Sequence, residues 1–187
     1  MDNTPPKYIT APFDETTARS LRAGDRVCIS GTIIAARDAA HKRMAETLAK
    51  GEPLPVDLRG AVIYYVGPSP AKPGKPIGSA GPTTAGRMDA YTPLMIEQGI
   101  KGMIGKGYRK PAVVEAMQEH GVPYLAAVGG AGALLAGCVE QYTVLAYEDL
   151  GPEAVAALTV KNFPAIVVMD CLGNNYYQQG QAQFKEV

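Results

Sequence analysis

The segment GSAGPTTAGRMDAY, residues 78–91, has the residue types and spacing most suited to chemistry. It places Thr83 and Thr84 directly before a predicted helix and Arg87 one turn into it. We expect one threonine to supply the N-cap oxygen, and the free N–H groups of the helix start, with the arginine, to favour a bound carboxylate or phosphate. The glycines are not followed by GK[ST], so this is not a Walker loop. The alternative is a plain turn and cap with a solvated Arg87.

Two further cations repeat this arrangement. Arg37 and Lys106 each lie at the end of an apolar strand, next to a turn. In open α/β sheets, ligands collect at the carboxyl ends of the strands. Three cations at three such positions, with Arg87 as the third, predict a dianionic ligand that is gripped at both ends.

The overall composition excludes several classes of partner. Lys plus Arg equals Asp plus Glu at 18 each among 187 residues, which leaves no basic excess for nucleic acid or acidic membranes. No window approaches the run of about 18 apolar residues that a membrane span requires. The N-terminal stretch MDNTPPKYITAPF lacks the layout of a secretion signal. We therefore expect a soluble, cytoplasmic protein that binds neither nucleic acid nor membrane.

The cysteines indicate neither a disulfide framework nor a metal site. Cys28, Cys138 and Cys171 are odd in number, far apart in sequence and never arranged as CxxC. This pattern argues against a metal site built by this chain alone. We expect each cysteine to be a small buried hydrophobic residue.

The elements that must position the candidate residues alternate strands and helices. Asp14 is expected to cap a short helix, which precedes a strand over residues 26–35. Asp38 is placed to cap the next helix, which a glycine ends. The run GAVIYYVG (60–67) indicates a strand buried on both faces, and a loop rich in Pro and Gly leads from it to residues 78–91.

The second half of the chain continues this alternation and predicts a single α/β domain over residues 1–187. A helix of about three turns is expected through Met88, Tyr91 and Leu94. KGMIGKGY reads as a short strand that leaves Lys106 on a turn, and PAVVEAMQEHG as a helix. The later patterns predict a strand in VPYLAAVGG, a short helix in AGALLAG and a strand in VEQYTVLAYEDLG. The last segment, EAVAALTVKNFPAIVVMDCLGNNYY, predicts a helical turn and then a hairpin-like strand around residues 170–174. Together they predict a mixed sheet flanked by helices.

Four motifs in the sequence carry a family resemblance. GTIIAARDAAH, GPTTAGRMDAY, GKGY and NFPAIVVMDCLGN together resemble the C-terminal domain of class I iron–sulfur fumarate hydratases, and the separate β subunit of two-subunit fumarate and L(+)-tartrate dehydratases. The resemblance covers residues 8–177, and the block GPTTAGRMD is highly specific. One departure is visible, since this chain has Tyr108 where the family commonly has asparagine.

The resemblance implies a swivelling β/β/α domain that supplies half of a shared active site. Enzymes of this family carry a four-iron four-sulfur (4Fe-4S) cluster on cysteines of the partner subunit or N-terminal domain, with one iron open to substrate. The chain would then be a β subunit with no metal ligands of its own, assembled as α2β2 with a cluster-bearing α subunit. The implied reaction is the reversible hydration of the dicarboxylate fumarate to L-malate, a citric acid cycle step.

The resemblance also implies roles for individual residues. The carboxylate-binding arginine of the family falls on Arg37, its other substrate contacts fall on Thr84, Arg87 and Lys106, and its base falls on Thr83. A threonine hydroxyl is a weak base, so Lys106 or Arg87 would have to stabilise the alkoxide and the aci-carboxylate that develops. Thr83 and Lys106 are therefore the catalytic candidates. The alternative for Thr83 is a cap that only orients the substrate.

Other polar residues have simpler interpretations. Asp38 is expected to cap its helix or to pair with Arg37, and His41 to be packed or solvated, although it could face the cleft. His120 precedes a glycine that stops a helix and fits the preference for cations at that end. Three more residues could line the pocket: Asp89, Tyr91 and Tyr108.

The sequence leaves several functions open. Within the enzyme class, an L(+)-tartrate dehydratase or a mesaconate-type hydratase is the nearest alternative to a fumarate hydratase. From another class, a non-catalytic anion-binding domain could have kept the fold without the chemistry. The joint presence of the five candidate residues argues against that last interpretation.

Overall fold

The computed structural model describes residues 5–184, which form seven strands and six α-helices. The strands are β1 (Lys7–Ala11), β2 (Arg26–Ala35), β3 (Val62–Tyr64), β4 (Gly102–Gly105), β5 (Tyr124–Ala126), β6 (Val139–Ala146) and β7 (Val155–Met169). The helices are α1 (Glu15–Ser20), α2 (Asp38–Ala49), α3 (Thr92–Glu97), α4 (Pro111–His120), α5 (Gly132–Gly137) and α6 (Tyr176–Phe184). Two 3₁₀ segments, Ala85–Met88 and Glu148–Glu153, complete the description. Within residues 5–184, no helix combines the length and apolarity needed to cross a membrane.

The sheet is mixed and closes on itself. Its strand order is β1-β2-β3-β4-β5-β7-β6, and β7 also pairs with β2. Strands β1 to β5 are mutually parallel, whereas β7 is antiparallel to β2, β5 and β6. Strands β2, β3, β4, β5 and β7 therefore form a closed ring of pairings. The expected α/β class, a mixed sheet flanked by helices, is confirmed, while a single domain over residues 1–187 stays a prediction.

Two long strands make the closure possible because each changes partner along its length. One edge of β2 pairs with β1 through Val27–Gly31 and with β3 at Ile34–Ala35. Similarly, β7 pairs with β6 over its first half and with β5 near its end. The remaining edges of β2 and β7 pair with each other. The parallel strands therefore end side by side, which places the segments that follow them at one edge.

Apolar side chains fill both faces of this sheet. Alternate residues of β2 are buried, including Val27, Ile29 and Ile33, as expected for the two-residue period of a strand. They pack with Phe163 and Leu158 of β7 in one core. The second core lies between the other face and the helices, and its methionines are Met44, Met88, Met95, Met103, Met117 and Met169.

Most predicted element positions are confirmed. Strand β2 covers the expected residues 26–35, and the Asp14 side chain accepts a hydrogen bond of 2.6 Å from the Thr17 N–H at the start of α1. Helix α4 begins at Pro111 and ends before Gly121, whose φ of 68° lies in the left-handed region.

Three predictions of local structure are wrong. The expected helix of about three turns is divided into the 3₁₀ turn Ala85–Met88 and α3, where Pro93 lacks the N–H that a continuous helix would need. The helical turn expected near Ala154 is absent, because residues 155–169 form a single strand held by ladders to β2 and β6. The N-cap of α2 is Arg37, and Asp38 is the first helical residue. Helix α6 was not predicted.

A register shift between β2 and β7 generates the first testable prediction. Gly31 has φ of 100° at a register shift between β2 and β7, and a Cβ there would overlap the carbonyl oxygen of Ala11 in β1. Gly51 also has a positive φ, 73°, but has open space around it. Gly31→Ala should therefore lower the free energy of unfolding by more than the roughly 1–2 kcal/mol that the left-handed conformation alone imposes. Gly51→Ala should show only that smaller effect in the same denaturant titration, and equal losses would contradict the close approach of β1.

Candidate functional site

The threonine segment, residues 83–85, lies between the ends of β3 and β4. The Thr83 N–H donates to the Tyr65 carbonyl oxygen (2.8 Å), and the Lys106 N–H donates to the Thr83 carbonyl oxygen (3.3 Å). The Ala85 N–H then donates to the Lys106 carbonyl oxygen (2.8 Å), within an isolated parallel bridge between Thr84 and Lys106. The backbone therefore places Thr83, Thr84 and Lys106 side by side.

The expected helix cap is wrong in detail. Thr84 occupies the N-cap position of the 3₁₀ turn, but its side chain makes no capping hydrogen bond. The Ala85 N–H is already paired with Lys106, and the turn has only four residues. The sequence predicted an anion site made of free N–H groups, and this turn does not form one. Half-buried Thr83 and exposed Thr84 keep their hydroxyl groups uncommitted to a cap.

Gly105 and Gly107 determine the backbone path on either side of Lys106. A Cβ on Gly105 would approach a Tyr65 ring carbon to 2.9 Å and the Ala85 Cβ to 3.2 Å, so the threonine segment packs closely only because residue 105 is glycine. Gly107 adopts φ of 83°, which turns the chain directly after Lys106. The Lys106 side chain is exposed, and it forms no ion pair with any residue between 5 and 184. Lys106 is therefore a cation at this edge that is open to a ligand.

The two candidate arginines meet at one carboxylate. Arg37 Nε donates to Asp38 Oδ2 (3.1 Å), and Arg87 Nε lies 2.7 Å from Asp38 Oδ1. The Asp38 side chain is 27% exposed, compared with 21% for Arg37 and 52% for Arg87. Asp38 is thus a partner of Arg37, as expected, and of Arg87 as well. The sheet edge brings both guanidinium groups within reach of a single small ligand.

A second carboxylate, which the sequence did not reveal, completes this cluster. Glu153 Oε1 lies 3.4 Å from Arg37 Nη2, and Glu153 Oε2 accepts a hydrogen bond of 3.0 Å from the Ala39 N–H. Glu153 therefore caps the N-terminus of α2, a role that had been expected of Asp38. The Arg37 side chain also lies close to Gly67, where a Cβ would approach its Cδ and Nη1 to 3.1 Å. Only the fold brings together residues so far apart in sequence.

The local electrostatics keep Asp38 ionised. Partial burial opposes the charge on its carboxylate, but its own backbone N–H at the helix start, the Arg37 hydrogen bond and the charge of Arg87 outweigh that effect. The pKa of Asp38 is consequently held below its ordinary value. The cluster contains three cations, Arg37, Arg87 and Lys106, and two carboxylates, Asp38 and Glu153. At neutral pH one net positive charge therefore remains to attract an anion.

Beneath the site lies a buried arginine that sequence reasoning missed. Arg109 Nε is 2.8 Å from Asp89 Oδ1, and the two side chains are 0% and 1% exposed. The guanidinium also donates to Thr92 Oγ1 (2.7 Å) and to the Tyr65 hydroxyl (3.2 Å), and lies about 5.1 Å from the centre of the Tyr124 ring. Burial opposes its charge, but Tyr65 and Asp89 raise the pKa of Arg109 overall. In the sequence it looks like an ordinary surface arginine before a helix.

His41 is packed rather than exposed to the cleft. It is fully buried, its Nδ1 lies 2.9 Å from the Arg37 carbonyl oxygen, and its ring makes an edge contact with Tyr65. Burial lowers the pKa of His41 to about 4, despite the opposing hydrogen bond with Arg37. A neutral ring with a proton on Nδ1 can donate to that carbonyl, so His41 supports the backbone of Arg37.

The remaining pocket candidates make contacts outside this cluster. Asp89 is buried in the ion pair just described, and Tyr91 precedes α3. Tyr108 packs against Tyr177 of α6 and its hydroxyl accepts a hydrogen bond of 2.9 Å from Gln181. A cavity of about 430 Å³ adjoins Tyr108, but it is lined by none of the five candidate residues. The candidate site is thus an open edge of the sheet and not part of that cavity.

The side chains of residues 5–184 do not fit a metal cluster. Within residues 5–184, no group of three or more His, Cys, Asp or Glu side chains converges as a ligand set. Cys171 is buried as expected, whereas Cys28 and Cys138 are only half-buried. A 4Fe-4S cluster therefore has no donor set in the described part of this chain.

Comparison with known proteins identifies the family. A family model described as Fumarase C-terminus matches residues 9–180. The chain belongs to this family. It is 44% identical to "Fumarate hydratase 2" of Leishmania major over 83% of this chain and 28% of that protein, and 39% identical to "Fumarate hydratase class I, aerobic" of Escherichia coli K12 over 96% and 32%. It thus spans about a third of the length of these fumarate hydratases.

Another relative in the Fumarase C-terminus family has a similar length. The chain is 41% identical to "Putative L(+)-tartrate dehydratase subunit beta" of Methanocaldococcus jannaschii, with 92% of each chain covered. The names of these relatives are those of hydro-lyases or of a hydro-lyase subunit. The expected family resemblance is confirmed.

The buried Arg109–Asp89 pair provides the second prediction. Replacing one partner leaves an uncompensated buried charge, so Arg109→Met or Asp89→Asn should each lower the free energy of unfolding by about 3–5 kcal/mol. The double variant should lose clearly less than the sum, as measured by denaturant unfolding. Arg59→Met, in the exposed Arg59–Asp57 pair, is the control and should have a far smaller effect. Strictly additive losses would show that the two side chains do not depend on each other.

Proposed function

We propose that this chain is the β subunit of an iron–sulfur-dependent hydro-lyase, and that its reaction is the reversible hydration of fumarate to L-malate. The proposal depends on one observation, which is that Arg37 and Arg87 both contact Asp38 at one edge of the sheet. The other three candidate residues follow the neighbouring strands at the same edge: Thr83, Thr84 and Lys106. Two guanidinium groups and an ammonium group suit a dicarboxylate, because charge-assisted hydrogen bonds to carboxylates are among the strongest in proteins. The names of the fumarate hydratase relatives support the same substrate.

The proposed mechanism gives each residue a separate role. Arg37, Arg87 and Thr84 hold the carboxylates and fix the carbon chain against the edge of the sheet. In the dehydration direction, the Thr83 side chain acts as its alkoxide and accepts the proton from the carbon next to a carboxylate. The hydroxyl group of the neighbouring carbon leaves with the electron pair of its C–O bond, and a cluster held by the partner would supply the Lewis-acid chemistry for that departure. Lys106 stabilises the negative charge that develops on that carboxylate, and it lies beside Thr83, where it also favours the alkoxide. In the hydration direction the same groups return the proton.

The proposal assigns the 4Fe-4S cluster to an α subunit, in an α2β2 assembly. A site on an edge of the sheet is consistent with one that a second polypeptide completes. The name "subunit beta" of the Methanocaldococcus jannaschii relative also supports a separate partner. We also propose that the complex is cytoplasmic and that it has no nucleic-acid or membrane partner.

L(+)-tartrate dehydration is the second candidate, because that relative matches this chain over 92% of both lengths. Reconstitution of this chain with its cysteine-bearing partner under anaerobic conditions separates the two. We expect the highest kcat/KM with fumarate and malate, and lower values with tartrate and mesaconate. Turnover of tartrate without fumarate would favour the second candidate. Failure with all four, although the partner carries its cluster, would contradict a hydro-lyase and favour an anion-binding domain.

Thr83 provides the third prediction. Thr83→Val keeps the shape of the side chain but removes its oxygen, and loss of an acid–base group lowers a rate by about 10²–10⁴-fold. In the reconstituted complex we expect this variant to fold, to bind dicarboxylate with near-normal affinity and to lose most exchange of the substrate carbon proton with solvent. Thr83→Ser retains the oxygen and should retain most of the exchange. Normal exchange in Thr83→Val would transfer the base to a residue of the partner subunit.

A further inference from the structure

Asp38 contacts both candidate arginines at once, and the mechanism above gives it no task. Its two carboxylate oxygens point to different guanidinium groups, Oδ2 at 3.1 Å from Arg37 Nε and Oδ1 at 2.7 Å from Arg87 Nε. The two arginines come from different parts of the fold, since Arg37 follows β2 and Arg87 lies within the 3₁₀ turn Ala85–Met88 after β3. Asp38 is the group that connects them.

The contacts of Asp38 leave the outer nitrogens of both arginines available. The nearest contact of each guanidinium with Asp38 is through Nε, and within residues 5–184 no terminal nitrogen of either arginine donates a hydrogen bond to Asp38. The terminal nitrogens are the ones that can make paired hydrogen bonds with another carboxylate. Arg37 Nη2 has a contact of 3.4 Å with Glu153, and Arg87 has no second ion pair within residues 5–184. An anion can therefore bind without displacing Asp38.

Prior ordering of these side chains matters because arginine has many rotatable bonds. Arg87 is half exposed and would lose rotamer freedom when it binds a ligand. A contact that already fixes its Nε removes part of that entropic penalty and holds the guanidinium in one orientation. Asp38 is itself fixed as the first residue of α2.

We infer that Asp38 is a positioning residue that sets the spacing of Arg37 and Arg87 for the two carboxylate groups of one ligand. The inference rests on the proposed function, because it assumes that the arginines bind a dicarboxylate. Asp38 acts through the arginines and does not touch the reacting atoms. We therefore expect Asp38 to favour the correct orientation of the ligand, although its negative charge does not favour the attraction of an anion.

When Asp38 loses its charge, the electrostatic attraction for a dianionic ligand should increase, whereas the orientation of the two arginines should become less well defined. Asp38→Asn makes the cluster more positive by one unit, which strengthens the general attraction for a dianion. However, asparagine replaces one of the two carboxylate oxygens with an NH₂ donor, so the position that faces one of the two guanidinium groups loses its acceptor. The other arginine then becomes free to adopt several orientations. A small misplacement of a substrate-binding group reduces the rate of the chemical step by up to about 100-fold.

The experiment compares steady-state kinetics of the reconstituted complex containing wild-type chain, Asp38→Asn or Asp149→Asn. Asp149 is the matched control, because it is an exposed carboxylate that pairs with Arg43 and contacts neither candidate arginine. For Asp38→Asn we expect kcat to fall by about 10- to 100-fold while KM stays the same or decreases. Asp149→Asn makes the same change in charge and should leave both values within about twofold.

Two kinetic results would overturn the inference. A kcat of Asp38→Asn close to that of the wild type would show that the arginines keep their spacing without it. A KM that rises in step with the fall in kcat would show a general loss of binding or folding instead of a loss of orientation. Thermal unfolding of the variant separates those last two causes.

A second measurement does not depend on the reaction. In the intact complex with ¹⁵N-labelled arginine in this chain, the Nε–H signals of Arg37 and Arg87 report their contact with Asp38. They can be assigned with Arg37→Lys and Arg87→Lys. We expect slow exchange of both Nε–H protons with water in the wild type and faster exchange of at least one in Asp38→Asn. Unchanged exchange would overturn the inference, whereas absence of turnover by the wild-type complex would contradict only the proposed function.

Discussion

The buried ion pair between Arg109 and Asp89 constrains the segments that carry the candidate residues. Asp89 follows Arg87 by two positions, and Arg109 follows Lys106 by three, so the pair joins the ends of the two functional segments. Asp89 Oδ2 also accepts a hydrogen bond from the Lys110 N–H (2.8 Å), and the Tyr124 hydroxyl donates to the Gly107 carbonyl oxygen (3.1 Å). Because a buried charge without its partner is strongly destabilising, Arg109 and Asp89 must stay in contact. Their contact fixes how the segment that carries Arg87 packs against the segment that carries Lys106.

The closed sheet and the surface charges build on that constraint. Parallel strands that end at one edge deliver Arg37, the threonine segment and Lys106 to the same place. Asp38 and Glu153 then balance the arginines without neutralising Lys106. The result is a moderately positive edge of the sheet. Such a surface suits a small dianion that a second polypeptide would cover.

Sequence reasoning predicted the parts of this arrangement that depend on local chemistry. Strand β2, helix α4 and the turn at Lys106 follow from runs of apolar residues with Pro and Gly at their boundaries. It failed where tertiary pairing prevails over local preference, as in β7, whose alanines favour a helix but whose backbone pairs with β2 and β6. Glu153 and Arg109 could not be found, because their contacts join residues distant in sequence and nothing in their own neighbourhood distinguishes them from surface charges.

The central claim is that Arg37, Arg87 and Lys106 together hold one dicarboxylate, and a crystal structure of the assembled complex with succinate tests it most directly. Succinate has the two carboxylate groups but lacks the double bond and the hydroxyl group, so it should bind without reacting. The account predicts carboxylate oxygens within about 3 Å of nitrogens of both guanidinium groups and of Lys106 Nζ, with the ligand carbons facing Thr83. Succinate bound elsewhere, with these three side chains in contact only with water, would contradict the claim.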